Sequence, residues 1–382
     1  MLALALSVAL LHLEEPPRLR TISRNGAAIL VERMPDEPMI SVQLWASARS
    51  VPETSKTHGW RHLLEHLIAR GKGDLDRRLE TNGSYLRART FRDAMQIEIN
   101  VGPRQLDLAI SAVTEILRPL ETSQAQIEKE VDIMRQEFAT YENSSRLNSA
   151  AWFQAYGEPG LDPFGKLETI SQATPDGLRD LQRKHFYPEN LVLSIAGPVD
   201  VKQATALANA AIGMKQGAIR VPDKDRAGGK PGRVETDGYG EGRAALVGSF
   251  DRPQTVGALA FALSVGSGEE GAFVTYTPSI FGGLVIVGQT EKQSGIGLKI
   301  DGIGSNDWPH LFALGKILAR NWIGRYLTSA SGVAYFRGLL LCQSHASRPE
   351  AMLQALDRLT LAEFTEAGQS FSKEKAVTVV GS

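Results

Sequence analysis

Residues 62–66 read His-Leu-Leu-Glu-His, so two of the chain's seven histidines stand four positions apart with a glutamate between them. On an α-helix, at about 100° per residue, His62, Glu65 and His66 share one narrow sector. Trp60, Leu63, Leu64, Leu67 and Ile68 share the opposite one. Residues four apart lie one turn above another, so two imidazoles can converge on a single cation. Glu65, displaced from the line between them, can reach a water on that cation and take its proton. Zinc lowers the pKa of such a water to about 7. H-x-x-E-H is the inverted counterpart of the H-E-x-x-H pattern of zinc proteases. The competing reading is an amphipathic helix whose polar face simply carries histidine. A third ligand separates the two.

Catalytic zinc takes three protein ligands and keeps a position for water. Cys342 is the only cysteine, which excludes an intrachain disulfide and a CxxC zinc site and leaves histidine and carboxylate as donors. The stretch SQAQIEKEVDIMRQEFATYE reads as a helix, with Ser123 as N-cap and Ile127, Val131, Met134 and Phe138 at helical spacing. It offers Glu128, Glu130, Glu137 and Glu142, of which Glu130 and Glu137 share a face two turns apart. Glutamates on such a face are ordinarily just solvated.

The elements that must position these groups are legible in outline. Leu19 to Ala46 reads as two strands, with Asn25-Gly26 opening the first apolar run and the stretch from Pro35 to Pro38 separating it from the second. SYLRART and AMQIEINV read as a strand pair, RQLDLAISAVTEIL as a helix stopped by Pro119. TPDGLRDLQRKHF reads as a helix capped by Thr174 with Pro175 at its first position, and NLVLSIAG as a buried strand before a last helix. Residues 213–232 mix Gly, Pro and charge with little periodicity and read as a linker.

The second half repeats the coarse order: strands at RAALVGSF and GALAFALSV, a loop-rich middle, and a helix from Pro309. Then come a strand at VAYFRGLLLCQ, a helix over residues 349–368 and the strand KAVTVVG. Both halves close on a helix followed by an apolar strand ending in Gly. The expected class is α+β, two related α/β sandwich domains, each a mainly antiparallel sheet with helices packed on one face. The expected division is 1–18 as an N-terminal segment, 19–212 and 233–382 as domains.

The chain's 382 residues suit two domains. Its 42% hydrophobic and 22% charged content is that of a globular protein. A formal net charge of -1 leaves no basic excess for a phosphate backbone, so nucleic acid is not expected as a partner. The apolar run Leu2 to Leu11 reads either as a signal-peptide core, implying export, or as a disordered or docked N-terminal segment, since it lacks a basic n-region and a clear A-x-A site. No later segment approaches the roughly 18 to 20 apolar residues of a membrane span.

Over most of residues 19–212 the chain resembles the insulinase/pitrilysin superfamily of zinc metallopeptidases, specifically the shorter type related to mitochondrial processing peptidase. The resemblance rests on an ordered series: the NG turn, G-x-x-H-x-x-E-H at Gly59 to His66, GSYLRARTFRD from Gly83, IEKEVDIMRQE from Ile127 and YPENLVLSIAGPVD from Tyr187. It implies one zinc per chain, held by His62, His66 and Glu137, with Glu65 as general base and Glu130 orienting the site from behind. It implies an endopeptidase acting on extended peptides or unfolded protein segments.

Two departures stand out. Family members read Asn-Ala where this chain has Arg87-Ala88 in the strand expected to receive peptide by β-augmentation, which suggests a preference for acidic side chains. The segment ending Gly-Val-Ala-Tyr keeps Tyr335, but the family's substrate-gripping Arg, seven residues earlier, falls on Thr328, which lacks a charged fork. Since the family closes its chamber with four such domains, a dimer is expected. A heterodimer whose related partner supplies the Arg/Tyr pair is favoured over a homodimer. The alternative function is a non-catalytic structural or chaperone-like subunit of a processing-peptidase-like complex.

Overall fold

The computed structural model describes residues 18–48, 53–70, 75–213, 229–280, 282–292, 294–343 and 349–381. The N-terminal run and residues 214–228 of the expected linker lie outside the described residues. The first half runs β1 (Arg18–Ile22), β2 (Ala28–Arg33), β3 (Ile40–Ser47), α1 (Trp60–Ala69), α2 (Leu75–Thr81), β4 (Tyr85–Thr90) and β5 (Ala94–Val101). It continues α3 (Leu106–Ile116), α4 (Gln124–Ala139), α5 (Asn143–Tyr156), α6 (Leu167–Ile170), α7 (Pro175–His185), β6 (Leu191–Gly197) and α8 (Val201–Gly213). The second half runs β7 (Gly232–Thr236), β8 (Glu241–Val247), α9 (Pro253–Gly266), β9 (Ala272–Ser279), β10 (Gly282–Gln289) and α10 (Ile296–Asp301). It closes with α11 (Trp308–Gly324), α12 (Ala330–Cys342), α13 (Pro349–Arg358), α14 (Leu361–Gln369) and β11 (Val377–Gly381). Among the described residues no helix is long and apolar enough to cross a membrane.

The sheets are ordered β1-β2-β6-β3-β5-β4 and β7-β11-β8-β10-β9 among the described residues. Each contains one parallel pair, β2 with β6 and β7 with β11, and is otherwise antiparallel. Apart from β1, the second order reproduces the first strand for strand, so the fold is α+β built from two copies of one topology, as expected. The Asn25-Gly26 turn lies between β1 and β2, which makes three strands of the region read as two. Gly26 supplies the positive φ of 96° that the tight connection requires.

Side chains alternate across a strand, so each sheet has two faces to cover. On the first sheet Ile29, Val31, Val42, Leu44, Ile97, Ile99 and Ile195 pack against helices of their own half. On its other face Ala28, Leu30, Trp45 and Val192 meet Leu339 and Cys342 of α12, from the second half. The second sheet mirrors this. Val285 and Val287 pack with Val256 and Leu259 of α9, while Ala244, Ile286, Val377 and Val379 meet Leu147, Trp152 and Tyr156 of α5, from the first half. Helices of the same half cover one face as expected, and the two halves exchange a helix to cover the other.

That exchange explains where reading by periodicity goes wrong. GALAFALSV and VAYFRGLLLCQ, expected as strands, are helices α9 and α12. Helix α12 is wedged between the sheets, with Val333, Ala334, Leu339 and Cys342 on the other face of the first sheet and Phe336 and Leu340 in the core of the second half. A helix buried all round has no polar stripe, so its 3.6-residue period disappears from the sequence. The segment expected to be loop-rich forms β9 and β10, and residues 349–369 form two helices because Thr360 and Glu363 build a capping box at the start of α14. Buried polar contacts fasten the halves. Asp93 accepts from the Ile280 backbone N–H at 2.8 Å and from the Gln343 amide at 3.1 Å. Arg337 of α12 lies 2.5 Å from Glu32 of β2.

Candidate metal centre

Helix α1 begins at Gly59, whose φ of 93° is left-handed. A side chain there would collide with Gly165 and Ile170, and one at Gly165 with Gly59, so two facing glycines let the 161–166 loop lie against the start of the helix. Buried Arg61 ties α1 to the turn after β4: its guanidinium donates to the Phe91 and Arg92 carbonyls, each at 2.8 Å. The apolar side of α1, with Leu63, Leu64, Leu67 and Ile68, enters the first core, which leaves His62 and His66 facing α4 and Glu65 facing the edge strand β4. Helix α4 starts where its sequence indicated, at a Ser123–Gln126 capping box, and packs across α1 with Ile127, Val131 and Met134 buried.

The two helices bring the donors together. His62 Nε2 and His66 Nε2 are 3.3 Å apart. Oε2 of Glu137 lies 3.6 Å from each. Among the described residues this is a group of His and carboxylate atoms, all within 4.8 Å of one another, suited to a metal ion. Glu130, nearly fully buried, sits behind the pair with Oε2 3.4 Å from His66 Nδ1. Its other oxygen is 2.5 Å from Arg70 Nε. His62 Nδ1 lies 3.1 Å from the Phe164 carbonyl. Glu137 is about two-fifths exposed, so the site opens to solvent on the α4 side.

These contacts test whether a cation fits. The Phe164 carbonyl and the Glu130 carboxylate can only accept, so both Nδ1 atoms carry the ring proton. With both rings neutral, the two Nε2 lone pairs then face each other and an acidic oxygen. A tetrahedral zinc bonded at about 2.0–2.1 Å separates its ligands by about 3.3–3.4 Å, close to the three distances found. Zinc with two imidazoles and one carboxylate fits the site.

The charges agree. Burial, then the neighbouring His66, lowers the His62 pKa to about 4, which keeps the ring a neutral ligand. Burial acts against a charged His66, but Glu130, Glu137 and Glu65 outweigh it and raise its pKa. Glu65 is buried, and its pKa is pushed up to about 7, a rise opposed by the Thr90 hydroxyl that donates to its Oε2 at 2.6 Å.

Arg87 and Ala88 lie on β4, the edge strand of the first sheet, with Arg87 exposed and paired in register with Glu98 of β5. Tyr335 lies on α12, not on a strand, and packs against Trp45 at 5.4 Å between ring centres. The Arg89 guanidinium stands 5.8 Å over the Tyr335 ring. Thr328 sits in the turn after α11 and donates to the Arg325 carbonyl at 3.3 Å. Arg325 itself stacks on Tyr326, which stacks on Tyr335. The sequence reading missed Thr90, Arg70, Phe164 and Arg89. Arg89 and Thr90 follow Ala88 on the strand already singled out, and β-alternation puts Thr90 on the face of Ala88 and Arg89 on that of Arg87. Phe164 acts through its carbonyl, which no residue type announces.

Residues 28–163 match the insulinase family of peptidases, family M16, and they contain His62, Glu65, His66, Glu130 and Glu137. The chain carries an insulinase-family domain. An uncharacterized zinc protease of Streptomyces coelicolor is 27% identical to it over 241 residues, 60% of this chain and 51% of that protein. The mitochondrial-processing peptidase subunit beta of Lentinula edodes is 26% identical over 196 residues, 48% of this chain and 41% of that one. The chain therefore spans about half the length of these relatives. A protease from Helicobacter pylori shares the fold, with a TM-score of 0.79 at 16% identity over 95% of this chain and 99% of that one. Within the insulinase domain the strand following α1 is the edge strand β4, and the second half's counterpart of α1, α9, has no histidine or carboxylate.

Proposed function

We propose that this chain is a zinc-dependent endopeptidase of the inverted H-x-x-E-H type, acting on extended peptides or unfolded protein segments. The observation that carries the reading is the convergence of His62 Nε2, His66 Nε2 and Glu137 Oε2 beside the buried carboxylate of Glu65. When bound there, zinc polarises a carbonyl and lowers the pKa of a water. His62 and His66 hold their Nε2 lone pairs toward it, oriented by Phe164 and Glu130 through their Nδ1 protons. Thr90 occupies Glu65 Oε2, which leaves Oε1 to take a proton from the attacking water and pass it to the leaving amide nitrogen as the C–N bond breaks. The products are a carboxylic acid and an amine.

Edge strand β4 offers backbone groups to an extended substrate, with Ala88 leaving room at its centre and Arg87 projecting toward acidic side chains. Tyr335 sits beside this strand next to Arg89. Because Thr328 supplies no charge, we infer that a related subunit contributes an Arg/Tyr pair in a heterodimer, with a homodimer as the other arrangement.

The test is zinc content, oligomeric size and hydrolysis of a quenched peptide library containing acidic and neutral members, for the chain alone and mixed with a related chain lacking zinc ligands. One zinc per chain with hydrolysis only in the mixture supports the heterodimer. Hydrolysis by the chain alone supports the homodimer or a lone chain, as size decides. Zinc without hydrolysis in either sample overturns the peptidase reading in favour of a non-catalytic subunit.

A further inference from the structure

We propose that Asp162 is a positioning residue for the metal ligand His62, and that through it metal binding is coupled to the docking of α5 on the second sheet. The inference rests on the metal reading of His62, His66 and Glu137.

Asp162 lies in the loop that the facing glycines Gly59 and Gly165 allow against α1. One carboxylate oxygen, Oδ1, accepts the Phe164 backbone N–H at 3.0 Å. The other accepts from the Ser149 hydroxyl at 2.6 Å and from the Tyr141 hydroxyl. Its own carbonyl lies 2.7 Å from His58 Nε2, just before the start of α1. These bonds hold the short segment from Asp162 to Phe164, and with it the carbonyl that meets His62 Nδ1 at 3.1 Å. The Phe164 ring is pinned as well, 5.1 Å from His62, 4.4 Å from Phe138 and 4.7 Å from Tyr141 between ring centres. Phe138 is the residue after Glu137, so the same loop braces two of the three ligands.

Ser149 belongs to α5, whose buried face packs on the second sheet. Leu147, Trp152 and Tyr156 pack with Leu284, Ile286 and Val379. The Tyr156 hydroxyl donates to the Gly283 carbonyl at 3.2 Å. Arg92 completes the junction, reaching Ser149 Oγ at 3.4 Å and the Gly160 carbonyl at 3.3 Å while lying over the Trp152 ring. A helix docked on the second sheet thus reaches a metal ligand of the first half in three hydrogen-bonded steps: Ser149 to Asp162, Asp162 to Phe164, Phe164 to His62. Outer partners that orient a ligating histidine are worth about 10–100-fold in metal affinity. Linkage makes any such coupling reciprocal.

The experiment measures zinc affinity of the full chain by chelator competition, well below the melting temperature of each metal-free variant, together with the visible spectrum of the cobalt-substituted protein. Asp162→Ala is expected to weaken zinc about 10–100-fold and shift the cobalt bands. Asp162→Asn, which keeps an acceptor for the Phe164 N–H, is expected to recover part of the loss. Ser149→Ala is expected to fall between native and Asp162→Ala, and it carries the test should Asp162→Ala not fold. Affinity within about twofold of native in both alanine variants, whatever their melting temperatures, overturns the proposal. A native chain that binds no zinc overturns the metal reading instead.

Discussion

Thr90 on strand β4 donates its hydroxyl to Oε2 of Glu65 on helix α1 at 2.6 Å. The edge strand proposed to receive substrate and the carboxylate proposed as general base are therefore one hydrogen bond apart. The bond also opposes the burial that pushes the Glu65 pKa up to about 7. Glu65→Gln should retain zinc and lose at least about 10²-fold in kcat, the usual share of general-base catalysis. Thr90→Val should raise the Glu65 pKa further and move the acid limb of kcat/KM to higher pH. A pH–rate profile on a quenched peptide checks both.

Metal affinity should grade with distance from the cation. His66→Ala and Glu137→Ala each remove a proposed ligand and should abolish stoichiometric zinc, while Glu130→Gln should weaken it only about 10–100-fold by loosening His66. Zinc at about 1,000 times its Kd should stabilise the native fold by about 4 kcal/mol. Thermal unfolding with and without zinc should show that gain in the native chain and none in His66→Ala.

His185 closes α7 inside the core, where burial, followed by the nearby Arg61, lowers its pKa to about 3. Its Nε2 is buried without a partner. In the unfolded chain the ring titrates near 6.5. Between those values the unfolded state binds the extra proton, so the contribution of a neutral His185 is fully present above about pH 6.5 and lost as pH falls toward 3. The difference in unfolding free energy between native and His185→Gln should therefore change by up to about 1.4 kcal/mol per pH unit in that window and be flat above pH 7. Urea titrations of the metal-free proteins across pH 4–8 test the slope.

Gly338 on α12 lies against the indole of Trp45 on β3, so close that a Cβ there would collide with Trp45 Nε1. Trp45 is fully buried and cannot withdraw. Gly338→Ala should destabilise the chain by about 1–3 kcal/mol despite alanine's better helix propensity, because it overpacks the seam between the halves. A rise in the urea midpoint would contradict this reading of the seam.

Much of the site was legible before any coordinates. His62, Glu65 and His66 share a face because helical spacing puts them there. Ser123 begins α4 because a serine followed three residues later by glutamine caps a helix. Thr174 and Pro175 begin α7 for similar reasons. Strand β4 was readable from its alternation and the turn signals around it, and Arg87 could be named as its exposed charge. Helices α9 and α12 were misread as strands, and α5 went unread. Helices α9 and α12 are buried nearly all round, so their apolar residues follow no single period, whereas α5 keeps a helical spacing of Leu147, Ala151, Trp152, Ala155 and Tyr156 that the reading passed over.

The sequence alone determined which side chains leave each helix together, since one turn of backbone geometry decides that. Only the tertiary structure decided which of those faces meet. It selected Glu137 and Glu130 over Glu128 and Glu142 by crossing α4 over α1. It brought the Phe164 carbonyl to His62 through a loop admitted by two facing glycines. It drew α12 out of the second half to cover the first sheet. Each is a contact between segments distant in sequence, formed because an exposed apolar face or an unpaired polar group must find a partner, and no local pattern records which partner that is.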